Sequence, residues 1–172
     1  NETAKLKAVV VGIANDFGGT PKVDECYDPK SRAHVKAGTY PTIAACVKEM
    51  DALVTVFKKY NIKVYRPQNI KGLNQIFSRD IAFAIEDKLI LPNIIEDRAK
   101  EVDAISNVFS QISEENKIKM PIEARAEGGD IMPWNDYIFV GYSEKEDFDK
   151  YTVARTNKTG LDFLTETFPN KI

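Results

Sequence analysis

Ala126-Glu127-Gly128-Gly129-Asp130-Ile131-Met132-Pro133-Trp134-Asn135-Asp136-Tyr137-Ile138-Phe139-Val140-Gly141 is the stretch on which the fold turns. Two carboxylates flank a glycine pair; a short apolar strand, a turn at Asn135-Asp136 and a second apolar strand follow, which is the pattern of a β-hairpin entered through a glycine turn. Paired glycines let the backbone take φ > 0 or approach another group closely, so Glu127 can be aimed into a cleft from a rigid strand start. Taken alone, the motif describes a polar hairpin entry equally well.

A second copy of the design lies roughly fifty residues upstream, in Phe77-Ser78-Arg79-Asp80-Ile81-Ala82-Phe83-Ala84-Ile85-Glu86-Asp87-Lys88-Leu89-Ile90-Leu91. Asp80-Ile81 and Asp130-Ile131 each open an apolar strand. Each strand turns at an acidic or amide pair, returns as a short apolar strand and leads into a helical pattern. Self-similarity at this spacing marks a repeat architecture, in which one supersecondary unit cannot bury its apolar face alone.

The chain has 172 residues, 43% apolar and 29% charged, enough for a sizeable core with ordinary globular composition. One domain is expected, with repeats at roughly 1–70, 71–122 and 123–172. The 24 basic and 26 acidic residues are mixed along the chain, and the net charge of −2 carries no electrostatic footprint for nucleic acid or an anionic membrane. No apolar run approaches a membrane span and the polar N-terminus is unlike a secretory signal, so a cytoplasmic protein is expected. Two cysteines, Cys26 and Cys46, and one histidine, His34, support neither a zinc cluster nor a disulfide framework.

Residues 5–14 form a β-branched run, the pattern of a buried strand. From Asn15 to Pro41 the pattern dissolves into Gly, Pro, Asp, Lys and Tyr, which predicts a long loop of the kind that often binds or covers a site. Ile43, Val47, Met50, Val54 and Phe57 recur at helical spacing, with Thr39 or Thr42 as cap, and a strand over residues 62–65 stops at Pro67. After the first hairpin, a helix is predicted over 97–112 with Ala99, Val102, Ile105, Phe109 and Ile112 inward, followed by a strand over 118–122. A polar loop from the second hairpin to Val153 precedes a third helix capped by Thr156 or Asn157, with Leu161, Leu164 and Phe168 as its stripe. The repeat pattern calls for one more strand after this helix, so the sequence is expected to be part of a longer polypeptide.

Phe77-Ser78-Arg79-Asp80, Glu127-Gly128-Gly129-Asp130-Ile131-Met132 and Ala154-Arg155-Thr156-Asn157, in that order, resemble the guanidino-group-modifying, or pentein, superfamily. This superfamily includes arginine deiminases, dimethylarginine dimethylaminohydrolases and amidinotransferases. With Tyr27-Asp28-Pro29-Lys30 and Met132-Pro133-Trp134-Asn135-Asp136-Tyr137, the likeness is greatest to bacterial proteins of the amidinotransferase group and covers nearly the whole chain.

The resemblance implies an α+β fold, a pentein-type α/β-propeller of ββαβ repeats with about three of five repeats here, around a central polar site. It also implies a reaction without metal or organic cofactor. A cysteine thiolate attacks the guanidinium carbon, a histidine protonates the departing amine, and the amidino group passes to an acceptor amine or to water. A planar cation with several N–H donors needs carboxylates. The resemblance assigns Asp80 to gripping the guanidinium and Glu127 to holding it while orienting the catalytic histidine. Asn74 falls where some relatives place a polar cleft residue. Arg155, with Arg98 as second candidate, falls where certain hydrolases hold the substrate α-carboxylate.

The family's catalytic histidine and cysteine lie downstream of Arg155-Thr156-Asn157, and nothing in these 172 residues matches them. Cys26 with His34 is a candidate replacement dyad only if the two meet in space, and His34 otherwise reads as a surface histidine. Cys46, beside Ile43 and Met50 on one helix face, reads as a buried inert thiol. Asp130 is expected to hydrogen-bond backbone near its glycine turn.

The expected function is therefore the N-terminal portion of an amidinotransferase-like enzyme acting on arginine or a related guanidino compound. The alternatives are a deiminase-type hydrolase and a non-catalytic guanidino-binding or assembly module. The expected partners are a small guanidino substrate and either a second copy, in a homo-oligomer, or the C-terminal segment carrying the histidine and cysteine.

Overall fold

A computed structural model of the chain describes residues 3–26, 28–144 and 155–171. Most of the polar loop expected up to Val153 therefore lies outside the described residues, as do Tyr27, Ala154 and the side chain of Asp97. The contacts divide the chain into two compact units, one of Leu6–Ser78 with Asp103–Val108, the other of Arg79–Val102 with Phe109–Ile172 and the first few residues.

In the first unit, β1 (Ala8–Val10) pairs in parallel with β2 (Lys63–Tyr65), Val9 facing Val64. The crossover between them carries two helices, α1 (Pro29–Ala37) and α2 (Ile43–Lys59). Thr42 caps α2 by accepting from the Ala45 N–H, and on the face that the spacing predicts Val54 is buried and Ile43, Cys46, Val47, Met50 and Phe57 are half-buried, so Cys46 is not the fully buried thiol expected. Helix α1 corrects the expectation of an unbroken loop. Asp28 accepts from the Ser31 N–H, Pro29 opens the first turn and Gly38 ends the helix at φ 66. These polar caps hold a helix with no buried residue, which an apolar periodicity does not reveal. His34 lies on this helix, its Nδ1 2.9 Å from Thr39 Oγ1, while buried Cys26 donates to the Lys22 carbonyl.

The second unit holds two hairpins of like design. Strand β3 (Phe83–Ile85) runs antiparallel to β4 (Lys88–Leu91), which pairs in parallel with β5 (Lys117–Lys119). Strand β6 (Ile131–Trp134) runs antiparallel to β7 (Tyr137–Val140). Glu86 and Asn135, each first in its turn, both take positive φ, 57° and 50°. Beyond the last helix, α5 (Lys158–Thr167), the Ile138 N–H donates to the Lys171 carbonyl, so the chain returns beside β7 as β5 lies beside β4.

Three boundaries differ from the sequence pattern, the buried strand expected over residues 5–14 being only Ala8–Val10, exposed or half-buried along its length. The strand expected over 118–122 ends at Lys119 because Pro121 has no N–H to offer a ladder, and Ile122 is left exposed. The single helix expected over 97–112 is broken into a 3-10 turn at Glu96–Arg98, α3 (Lys100–Asp103) and α4 (Ser106–Phe109). Its inward residues begin with Arg98 and Glu101 rather than Ala99, which is exposed.

Phe83, Ile85, Ile90, Met120, Ala124, Ala126, Ile131, Ile138, Leu164 and Phe168 form one core beneath both hairpins. Two glycines permit that packing. A Cβ on Gly128 would lie 2.1 Å from the Arg79 carbonyl oxygen, and one on Gly160 would lie 2.1 Å from that of Arg125. Each obstacle is backbone, which a rotamer change cannot relieve. Gly128→Ala is therefore expected to lower the unfolding free energy by about 3 kcal/mol or more, the upper end of overpacking costs. Gly38→Ala, with nothing within 4 Å of the added carbon, should cost only about 1 kcal/mol through its positive φ. Urea unfolding monitored by circular dichroism measures both, and equal losses would contradict the close approach.

Candidate functional site

Glu127 sits in extended backbone (φ −120°, ψ 138°) just before the 3-10 turn Gly128–Asp130. The small side chains of Ala124 and Ala126, both fully buried, let this segment run through the core, and the Glu127 N–H donates to Thr156 Oγ1. Asp80 arrives from the other hairpin. The Gly128 N–H donates to the Asp80 carbonyl at 3.2 Å, and a Cβ on Gly129 would meet Asp80 Oδ1 at 2.6 Å. Side-chain-free backbone at both glycines thus brings Asp80 beside Glu127.

The two carboxylates converge on one guanidinium, and it belongs to the chain. Arg98 Nη1 is 2.5 Å from Asp80 Oδ2 and 3.4 Å from Glu127 Oε2. Its Nε and Nη2 each donate at 2.7 Å to the two oxygens of Glu101, a bidentate pair in which both side chains are 5% exposed. Arg155 Nη1 lies 3.2 Å from the same Glu127 Oε2. Glu127 Oε1 is buried with no hydrogen-bond partner among the described residues, an arrangement that costs free energy unless a donor or a proton arrives.

Asp130 holds the segment that carries Arg155. Its Oδ2 accepts from the Arg155 N–H at 2.9 Å and the Thr156 hydroxyl at 3.0 Å, so its role is structural, with partners far along the chain rather than in its own turn. Asn157 extends this tether by accepting from the Arg125 and Gly160 N–H groups.

Among the described residues, three carboxylates (Asp80, Glu101 and Glu127) thus share the guanidiniums of Arg98 and Arg155, with Asp130 a fourth acidic group nearby. Burial pushes the Glu127 carboxyl up to about 7; Arg155 and Arg98 oppose that rise, while Asp80 and Asp130 add to it. Burial likewise raises Asp130, against its bonds from Thr156 and Arg155, and raises Glu101 against the pull of Arg98. Burial draws the Arg98 guanidinium down, but its bonds to Glu101 and Asp80 outweigh this and keep it protonated.

Of the residues expected at a site, Asp80, Glu127, Arg98 and Arg155 meet in one cluster. Asn74 belongs to the other compact unit, where its Oδ1 accepts from the Ile76 N–H. Glu101 and Thr156 are members that sequence reasoning missed. The Arg98-x-x-Glu101 spacing, which puts the pair on one side of a turn, was the available signal. Arg79, next to Asp80 in sequence, donates to the Ile131 carbonyl.

No family model matches the sequence. The uncharacterized protein YkgA of Bacillus subtilis (strain 168) is 29% identical over 96 residues, which are 55% of this chain and 33% of that protein. Among solved structures, a dimethylarginine dimethylaminohydrolase from Pseudomonas aeruginosa, complexed with citrulline, superposes with a TM-score of 0.67 at 15% identity, over 95% of this chain and 57% of its own. SxtG, an amidinotransferase from Microseira wollei, gives 0.68 at 14% identity over 97% and 58%. The N-terminal domain of ArgZ, a cyanobacterial arginine dihydrolase, gives 0.68 at 12% over 95% and 55%. The chain has the pentein fold of these structures and spans little more than half of their length.

The buried carboxyl makes a pH prediction. A carboxyl held near 7 in the fold, against an ordinary 4.5, keeps its proton better folded than unfolded. Its stabilising contribution is fully present below about pH 4.5 and is lost as the pH rises through about 7. Glu127→Gln should remove roughly 2 kcal/mol from the fall in unfolding free energy between about pH 5 and 8, and be the more stable protein at the upper end. Urea titrations at both pH values test this, and parallel pH profiles would contradict it.

Proposed function

We propose that the chain forms the guanidinium-gripping part of an amidinotransferase-like enzyme acting on arginine or a related guanidino compound. The observation that carries this reading is the meeting of Asp80 and Glu127, from successive hairpins, around one guanidinium, with Glu127 Oε1 unpartnered among the described residues. A cluster with more carboxylates than guanidiniums, walled by core, favours a delocalised planar cation with several N–H donors. Neighbours of the same fold include an amidinotransferase, a dimethylarginine dimethylaminohydrolase and an arginine dihydrolase, and these activities support the reaction class.

In this reading Asp80 grips the guanidinium and Glu127 both accepts from it and orients a general acid. A thiolate adds to the guanidinium carbon, the C–N bond to the amine breaks as the acid delivers its proton, and an amidino-cysteine remains. An acceptor amine or water then takes the amidino group and frees the thiolate. No residue of this sequence matches the family cysteine and histidine, so those two groups come from further polypeptide. Met132, Trp134, Tyr137 and Phe139 form an exposed apolar face on β6 and β7, which supports association with that polypeptide or with a second copy.

Hydrolases among the neighbours support a deiminase-type alternative, distinguished by whether water or an amine accepts the group. Product analysis of the native full-length protein, with and without glycine as acceptor, separates the two. On the 172-residue chain, calorimetry should detect L-arginine binding that weakens by about tenfold or more in Asp80→Asn, the size of one charge-assisted bond pair. Equal affinity in Asp80→Asn, with its fold intact by circular dichroism, would overturn the assignment.

A further inference from the structure

We propose that Arg98, clamped from behind by Glu101, is a positioning residue that aligns Asp80 and Glu127 for their ligand and does not itself touch that ligand. This inference rests on the guanidinium-binding reading of Asp80 and Glu127, and it replaces the sequence expectation that Arg98 holds a substrate carboxylate.

The geometry divides the Arg98 guanidinium into two parts. Nε and Nη2 form the fork that Glu101 fills with both of its oxygens, and Nη1 reaches Asp80 Oδ2 and Glu127 Oε2. All three nitrogens of Arg98 thus already bond carboxylates of the chain itself. Only a guanidinium presents three nitrogens in one plane, so lysine cannot hold three carboxylates in this arrangement.

Arg98 also selects which carboxylate oxygens remain. It takes Oδ2 of Asp80 and Oε2 of Glu127, and Arg155 adds to the same Oε2. Glu127 Oε1, without a partner among the described residues, is the oxygen left to an incoming guanidinium. The competing idea is that Arg98 is an internal plug that a ligand must expel. Expulsion would break the bidentate pair and strand Glu101 as a buried carboxylate, whereas a positioning Arg98 stays in place when the ligand binds.

Among the described residues the charged groups facing Glu127 are Arg98, Arg155, Asp80 and Asp130, so removing the Arg98 charge withdraws one of the two cations there that favour its ionised form. Two readouts on the full 172-residue chain test the proposal. The first is the Glu127 titration midpoint, followed by carboxyl carbon-13 NMR in the ligand-free protein. The second is L-arginine affinity by calorimetry between about pH 6 and 9, in wild type, Arg98→Met, Arg98→Lys and Glu101→Gln.

Arg98→Met should raise the Glu127 midpoint and weaken arginine by about tenfold or more near neutral pH, part of the loss returning at the alkaline end. Arg98→Lys should keep the midpoint close to wild type, because the charge remains, yet bind more weakly because the fork is lost. Glu101→Gln keeps the size of the clamp and should also bind more weakly. Tighter arginine binding by Arg98→Met or Arg98→Lys would establish the plug and overturn the proposal. An unchanged Glu127 midpoint and unchanged affinity, with only a lower melting temperature, would also overturn it by reducing Arg98 to a structural ion pair. If wild type binds no arginine, the functional reading fails while the ligand-free midpoint still decides whether Arg98 sets the state of Glu127.

Discussion

The contact on which the site depends is between two stretches of bare backbone. Gly128 packs against the Arg79 carbonyl more closely than any side chain permits, and its N–H donates to the next carbonyl, that of Asp80. One hydrogen bond and the absence of one methyl group thus set the register of two hairpins that are distant in sequence. Asp80 and Glu127 flank that contact and so become neighbours. Gly160 makes the corresponding approach to Arg125, bringing in α5 and the Arg155-Thr156-Asn157 segment before it.

Electrostatics follow from the packing. The core that brings the carboxylates together also removes them from water, and among the described residues the guanidiniums of Arg98 and Arg155 do not balance Asp80, Glu101 and Glu127. The imbalance appears as a proton held at Glu127 near neutrality and as an oxygen with no hydrogen-bond partner among the described residues. A cationic ligand relieves both conditions at once. Asp130 and Thr156 make no such demand, because each is satisfied within the tether that fixes the Arg155 backbone.

The two hairpins and the helices α2 and α5 were legible because apolar spacing, turn residues and Thr or Asn caps agreed with one another. Asp80 and Glu127 were legible from a repeated motif and its resemblance to a known family. Helix α1 was hidden because polar caps hold it without a buried face, although Asp28-Pro29 and Gly38 marked both its ends. The burial of Arg98 and Glu101 escaped the apolar pattern for a related reason. Hydrophobic periodicity assigns charged residues to solvent, so it chose Ala99 for the interior where an ion pair had turned inward. Thr156 gave no local signal, since its burial depends on Glu127 and Asp130, which only tertiary structure brings to it.

On the proposed function, Asp80 and Glu127 act as one receptor because backbone contact joins them. The most direct measurement is a double-mutant cycle on arginine affinity, with Asp80→Asn, Glu127→Gln and the double variant in the same buffer. A joint receptor predicts a coupling energy of about 1 kcal/mol or more, since a guanidinium that has lost one carboxylate can no longer use the other in the same pose. Losses that add to within about 0.3 kcal/mol would show two independent carboxylates and contradict the account.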